Sequence, residues 1–451
     1  MDTLQQIAAA LETGKTSSLE LTQQMLKRAQ DPKGQGAKVY TKLFADQALS
    51  AARASDLLRQ AGLSRSVVEG IPISVKDLFD VKGQVTTSGS VVLKNAPAAE
   101  ADSIVVQRLR AAGAVVIGMT NMTEFAYSGL GINPHYGTPL SPWDRQTGHI
   151  PGGSSSGAAV SVSDGMAAAG IGSDTGGSVR IPSAFCGLTG FKPTARRIPM
   201  EGVFPLSRHL DSIGPLANSV ACCALLDAVM AGQPIRVPEA AQIRGLRLAY
   251  PIQLVRDEMD DTVSRVFDRA INALTQAGVL IQDFDFPELL ELATINAGGG
   301  FTAAEAWAEH AQRLATRGTE YDRRVAMRIQ RGQSLTAVDL LVLMQARTSW
   351  MSRVTRKLAD VDALIMPTVP IVPPAIEPLI QDDQLYGKTN MLVLRNCSVI
   401  NFLDGCALSL PCHAKGEAPV GFMLASVGGN DQRLQSMGLA IEQVLRQATQ
   451  A

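Results

Sequence analysis

The chain is short of charge and of aromatic rings. Of its 451 residues, 18% are charged and 5% aromatic, and 41 basic side chains nearly cancel 42 acidic ones, leaving a net charge of −1. It has no dense Lys/Arg block, so neither a nucleic-acid surface nor a polybasic membrane surface is expected. No stretch approaches the roughly eighteen uninterrupted apolar residues of a spanning helix. The N-terminal MDTLQQIAAALETGK has neither the basic start nor the long apolar run of a secretory signal, which points to the cytoplasm. The six cysteines form no C-x-x-C pair, and Cys222-Cys223 sits in the apolar run SVACCALLDAVM. Small buried hydrophobes in a reducing compartment account for them. The five histidines are scattered without ligand spacing. No metal centre is expected, and a Ser-His-Asp arrangement is weakened.

What the chain has instead is glycine and serine at its centre. Residues 148–192 read GHIPGGSSSGAAVSVSDGMAAAGIGSDTGGSVRIPSAFCGLTGFK. Two turns, Gly152–Gly157 and Asp174–Ser178, flank a run rich in Ala, Val and Ser with almost no charge. Flexible linkers share the Gly and Ser but not the Ala, Val and Ile between the turns. The composition suits backbones packed closely in an interior. It points to chemistry done with main-chain groups and hydroxyls.

Around this centre the pattern predicts an α/β protein with a substantial core, read as one domain over 1–451. Residues 1–62 are an N-terminal helical segment, with a third helix near 42–61. Ile71, Ile73 and Val75 alternate with Ser74 and Lys76 in a short strand. A helix over 102–112 leads through Gly113 into the strand 114–118. The punctuated stretch 120–144 reads as a loop of the kind that carries substrate contacts. The core spans 63–230. Strands are expected at 246–250 and 278–283, with an amphipathic helix from about 259 to 277 between them. Residues 287–359 form a more charged, peripheral helical layer, and 360–451 return to core strands and a final helix.

Read alone, the chemistry stays open. The two glycines before Ser178 allow a sharp turn that gathers N–H groups on one side, as an oxyanion hole requires. A helix N-cap or an anion cradle suits Thr175-Gly176-Gly177-Ser178 as well. Ser154, Ser155 and Ser156 read equally as turn residues. Lys76 at a strand end ordinarily faces solvent. It can activate a serine only if burial keeps it neutral, and Asp77 must then face the other way.

These pieces together resemble the amidase signature hydrolases. The match is densest from PGGSSSG (151–157) through IGSDTGGSVRIPSAFCGLTGFKPT (171–194), supported by GIPISVKD (70–77), AAGAVVIGMTNMTEF (111–125), LDSIGP (210–215) and SLPC…APVGFML (409–424). The resemblance implies a large mixed, twisted β-sheet covered by helices on both faces. It also implies a Ser-cisSer-Lys triad: Ser178 as nucleophile, Ser154 as the bridging serine at a non-proline cis peptide, Lys76 as base. The N–H groups of Thr175, Gly176, Gly177 and Ser178 would form the oxyanion hole, with Asp174 and Arg180 as supports behind it. Ala126, Tyr127 and Ser128 would line the leaving-group side. No metal or organic cofactor is implied.

The implied partner is a small-molecule amide or carbamate, handled by a monomer or homodimer. Tyr127 and Leu130, with no cationic group in evidence, favour neutral aryl or alkyl amides, with carbamates (urethanes) and esters as further candidates. The competing readings are the glutaminase-type subunit of the tRNA-dependent amidotransferase and a non-catalytic binding member of the family.

Overall fold

The computed structural model describes residues 2–450. Its eleven strands are β1 (Tyr40–Leu43), β2 (Pro72–Lys76), β3 (Val115–Thr120), β4 (Ala169–Asp174), β5 (Thr189–Lys192), β6 (Ser212–Ala217), β7 (Arg247–Pro251), β8 (Leu280–Phe284), β9 (Ala363–Pro367), β10 (Cys406–Pro411) and β11 (Gly421–Ser426). All join one mixed sheet in the order β1-β3-β2-β4-β6-β5-β10-β11-β9-β7-β8. Residues of β3 divide between two hydrophobic clusters, with a register shift after Val116: Val116 and Met119 pack in one, Val115 and Ile117 in the other. The sheet is therefore covered on both faces.

The topology decides where the chemistry can sit. β2 runs parallel to both β3 and β4, pairing Ile73 with Ala169, Ser74 with Gly170 and Val75 with Ile171 on the β4 side. Parallel neighbours end at the same edge of a sheet, which is where α/β folds bind ligands. Lys76 closes β2, and Ser173 and Asp174 close β4, so all three reach one edge. β6 runs antiparallel to β4 and sets Ser212 opposite Asp174.

Three local expectations change. The third helix does not begin at 42: Tyr40–Leu43 is an edge strand antiparallel to β3, and the helix runs Ala45–Gln60. The helix that Ser178 would cap begins only at Arg180 and ends at Phe185. A twenty-residue helix, Asp383–Phe402, fills a stretch where no element was expected. The helical layer itself comprises Glu291–Ile295, Gly300–Arg317, Arg323–Gln330 and Ala337–Lys357. All six cysteines are buried and free. Among the described residues no helix is long and apolar enough to cross a membrane.

Candidate active site

Lys76 is fully buried, and its Nζ donates to Ser154 Oγ at 2.7 Å and Ser173 Oγ at 2.9 Å. Burial disfavours an ammonium and draws this one down to about 7, against the opposing pull of Asp211 and Asp174. Asp77 turns away, as strand alternation requires. Its carboxylate accepts from the Thr87 N–H at 3.1 Å and from the Thr87 hydroxyl, and burial raises it to about 6.

Ser154 follows a cis Gly153–Ser154 peptide. The segment is sewn to its surroundings by main-chain bonds. The Gly153 N–H donates to the Gly129 carbonyl (2.8 Å), the Thr123 N–H to the Ser154 carbonyl (3.1 Å), and the Ser155 N–H to the Ser178 carbonyl (3.3 Å). Gly153 must be glycine here, because a Cβ would lie 2.5 Å from the Gly131 nitrogen. Ser154 thus sits between the loop before it and the turn that carries Ser178. No hydrogen bond joins the Ser154 and Ser178 hydroxyls among the described residues.

The turn Thr175–Ser178 is organised by Asp174. Its carboxylate accepts from the N–H groups of Gly177 (2.9 Å), Val179 (3.1 Å) and Arg180 (3.3 Å), from Arg180 Nη2 (2.8 Å) and Nε (3.0 Å), and from Asn401 Nδ2 (2.9 Å). Burial alone would raise this carboxyl, but the Arg180 guanidinium beside it prevails and holds it below the usual carboxylate range. Asp174 and Arg180 are both wholly enclosed, with Arg180 also donating to Asn401 Oδ1 at 2.6 Å. Together they brace the turn from within the core. Because Asp174 takes the Gly177 N–H, that amide is not free for an oxyanion. The N–H groups of Thr175, Gly176 and Ser178 have no acceptor among the described residues. Gly176 is also the open side of the turn: an added Cβ would meet only Leu394, at 3.5 Å.

The loop expected to line the site is gripped from a distance. Phe125 and Ala126 both take left-handed backbone (φ 50° and 60°), unusual for residues with a Cβ. The Phe125 ring is held among His310, Tyr321 and Phe204, with centroids 4.3, 5.3 and 5.5 Å away. Buried Glu124 accepts from the Asp322 N–H at 2.7 Å, and Arg328 donates to the Tyr127 carbonyl at 2.5 Å. Ser128 donates to Asn390 Oδ1 and accepts from the Tyr386 hydroxyl, both at 2.8 Å. The Ser128 hydroxyl is thereby occupied, and Ala126 is buried, leaving Tyr127, half-buried, as the most accessible of the three. Leu130 is fully enclosed in the core rather than lining a pocket.

Several residues that shape the site had no signal of their own in the sequence. Ser173 was visible only as part of IGSDTGGSV, while Asn390 and Asn401 lie on the unexpected helix. Asp211 was visible only as part of LDSIGP. It accepts from the Thr175 hydroxyl at 2.5 Å and from the Leu206 and Ser207 N–H groups, and burial raises it to about 6.

A family model described as Amidase matches residues 20–434. The chain belongs to the Amidase family. It is 34% identical over 407 residues to a 2-amino-5-chloromuconic acid deaminase of Comamonas testosteroni, covering 89% of this chain and 87% of that one. It is 37% identical to one subunit of the glutamyl-tRNA(Gln) amidotransferase of Chromohalobacter salexigens, over 63% of this chain and 60% of the other. A solved amidase structure superposes with a TM-score of 0.88 at 28% identity, covering 98% of this chain and 99% of that one. This family member is a hydrolase of carbon–nitrogen bonds in amides.

Proposed function

We propose that this amidase cleaves linear amides through an acyl-enzyme on Ser178. The observation that carries the reading is the buried contact between Lys76 Nζ and Ser154 Oγ. A neutral Lys76 has one lone pair and two N–H bonds. It donates to Ser173 and accepts the Ser154 proton while Ser154 accepts the proton of Ser178. Ser178 Oγ then forms a bond to the amide carbon, and the carbonyl π electrons move to oxygen. The N–H groups of Thr175, Gly176 and Ser178 receive that oxyanion, each key donor being worth about 3 kcal/mol in such sites. Collapse breaks the C–N bond, with the relayed proton passing to nitrogen. Water then gives a proton to the same relay as its oxygen bonds to the acyl carbon, and breaking the ester C–O bond releases the acid and returns that proton to Ser178 Oγ.

The preference for neutral aryl or alkyl amides rested on three supports: Tyr127, Leu130 and the lack of a cation. Only Tyr127 still stands, since Leu130 is enclosed and Arg328 lies against the loop. The relative named for an acid substrate weighs the same way. Carbamates and esters remain acyl donors the same chemistry accepts. The glutaminase-subunit reading draws on the amidotransferase relatives; turnover by the purified lone chain counts against it.

The test is intact-protein mass spectrometry with an activated acyl ester, alongside turnover of a chromogenic amide panel. Adduct formation on Ser178 with turnover abolished in Ser178→Ala supports the mechanism. Near-normal rates in that variant sink it.

A further inference from the structure

Just ahead of β6 stands a buried carboxylate that no cation claims. β6 sets Ser212 opposite Asp174, and the Ser212 hydroxyl donates to the Asp174 carbonyl at 2.9 Å. Because the two strands are antiparallel, the residues just beyond that pair, Thr175 and Asp211, meet. The Thr175 hydroxyl donates to Asp211 Oδ1 at 2.5 Å, and the N–H groups of Leu206 (2.9 Å) and Ser207 (3.1 Å) donate to Oδ2. All three donors are neutral, and no basic side chain lies within ion-pair distance of Asp211 among the described residues. Asp174, by contrast, is matched by Arg180. Burial raises the Asp211 carboxyl only to about 6, so it is an anion at neutral pH and above.

That anion bears on both halves of the site. Its field reaches Lys76, where it favours the ammonium more strongly than Asp174 does. Through the Thr175 hydroxyl it also fixes the first residue of the turn that carries the free N–H groups. The other charges nearby do not cancel it. Glu305 accepts from the Ser207 hydroxyl, lies beside His209 (Nδ1 to Oε1 2.8 Å) and adds negative charge. Arg347 is spent on the carbonyls of His209, Asn401 and Phe402, and Arg180 on Asp174. When Lys76 takes the proton of Ser154 it becomes an ammonium in a dry interior, where a fixed anion nearby is worth far more than in water. We infer that Asp211 is a positioning residue for acyl transfer: it steadies the ammonium that Lys76 becomes and aims Thr175 at the oxyanion. The inference rests on the reading of Lys76 as the base.

Asp211→Asn separates charge from shape, because an asparagine can keep every contact: Oδ1 accepts from the two N–H groups and Nδ2 donates to the Thr175 oxygen. The experiment measures the pH dependence of kcat/KM and kcat for a chromogenic amide in the purified full chain. Asp211→Asn should move the acid limb to lower pH by about half a pH unit or more. On the plateau its kcat should fall about tenfold, with KM little changed. Thr175→Val keeps the charge but removes the bond, so it should lower kcat without moving the limb, and Thr175→Ser should restore the rate. Where Asp211→Asn does not fold, Asp211→Ser reads the same limb. A folded Asp211 variant whose limb stays at the parent's position, or a parent-like kcat in Thr175→Val, overturns the inference while leaving Lys76 as the base. A parent without any acid limb would instead sink Lys76 as the base, and the inference with it.

Discussion

Lys76 Nζ lies 2.7 Å from the hydroxyl of Ser154, a residue 78 positions away in sequence, at the edge where two parallel strands end together. Burial moves the ammonium down to about 7, so its titration falls inside the range where an enzyme is assayed. In the protonated form there is no lone pair to accept a proton. The rate, kcat/KM, should therefore fall about tenfold per unit as pH drops below about 7, and level off above it. Lys76→Ala should lose activity at every pH. A flat profile from pH 5 to 9, or near-normal rates in that variant, would rule Lys76 out as the base.

The same burial links to stability. The folded pKa lies below the ordinary value of 10.5, so between about 7 and 10.5 the unfolded chain binds a proton that the folded chain does not. Stability contributed by this group thus rises with pH across that window. The melting temperature of Lys76→Met relative to the parent should be highest at pH 7 and below, and the difference should shrink as pH rises toward 10. A difference independent of pH would contradict a buried, shifted lysine.

Ser173 accepts from the same ammonium at 2.9 Å. Removing that acceptor in Ser173→Ala disfavours the charged lysine, so the acid limb of the pH profile should move to lower pH. We expect kcat to drop by about tenfold because the Nζ lone pair is less well aimed, with Ser173→Thr restoring most of it. A variant that merely loosened the strand would lower the rate without moving the limb.

Asp174→Asn removes the only carboxylate paired with Arg180 among the described residues and leaves a wholly enclosed guanidinium uncompensated. Breaking a buried pair from one side costs about 3–5 kcal/mol. Chemical denaturation should show that loss, accompanied by loss of turnover as the Thr175–Ser178 turn relaxes. A midpoint close to the parent's would mean the pair is not what holds the turn.

Gly177 has φ 129°, and an added Cβ would stand 2.6 Å from both Cys397 Cβ and Ile181 Cδ1. Gly177→Ala should therefore destabilise the fold by roughly 1–3 kcal/mol and depress kcat far more than KM. Gly62, also at positive φ but with nothing near its Cβ, serves as the control: Gly62→Ala should leave turnover untouched. Equal effects at the two sites would show that the turn's geometry is not what catalysis needs.

What the sequence revealed of this site was whatever is local. The paired glycines before Ser154 and Ser178, and the alternation that ends at Lys76, are written within a few residues of the groups they place. The residues that were missed act across long separations: Asn401 on Asp174 over 227 residues, Asn390 on Ser128 over 262, Arg328 on Tyr127 over 201. The helix that carries the two asparagines was also disguised. The buried stripe of Asp383–Phe402 recurs at helical spacing, but it includes Thr389, Asn390, Asn396 and Asn401 among its apolar members. An apolar period cannot be read from such a stripe, because its polar half is buried to make hydrogen bonds. The short strand Tyr40–Leu43 was lost for a different reason. Only its pairing with β3 distinguishes it from the start of the helix that follows.

Lys76 and the Ser178 turn stand at strand ends of the sheet, but the loop beside them is held by a clasp of aromatic rings and hydrogen bonds from the helices over 300–330 and Asp383–Phe402. Two parts of the molecule with different mechanical fates thus meet at the Ser154 segment, which is bonded to both. A nick in the clasp would leave Lys76 at the end of its strand but would loosen the loop and, through the Gly153–Gly129 and Thr123–Ser154 main-chain bonds, the segment that carries Ser154. Damage far from the lysine would therefore reach the bridging serine through the loop.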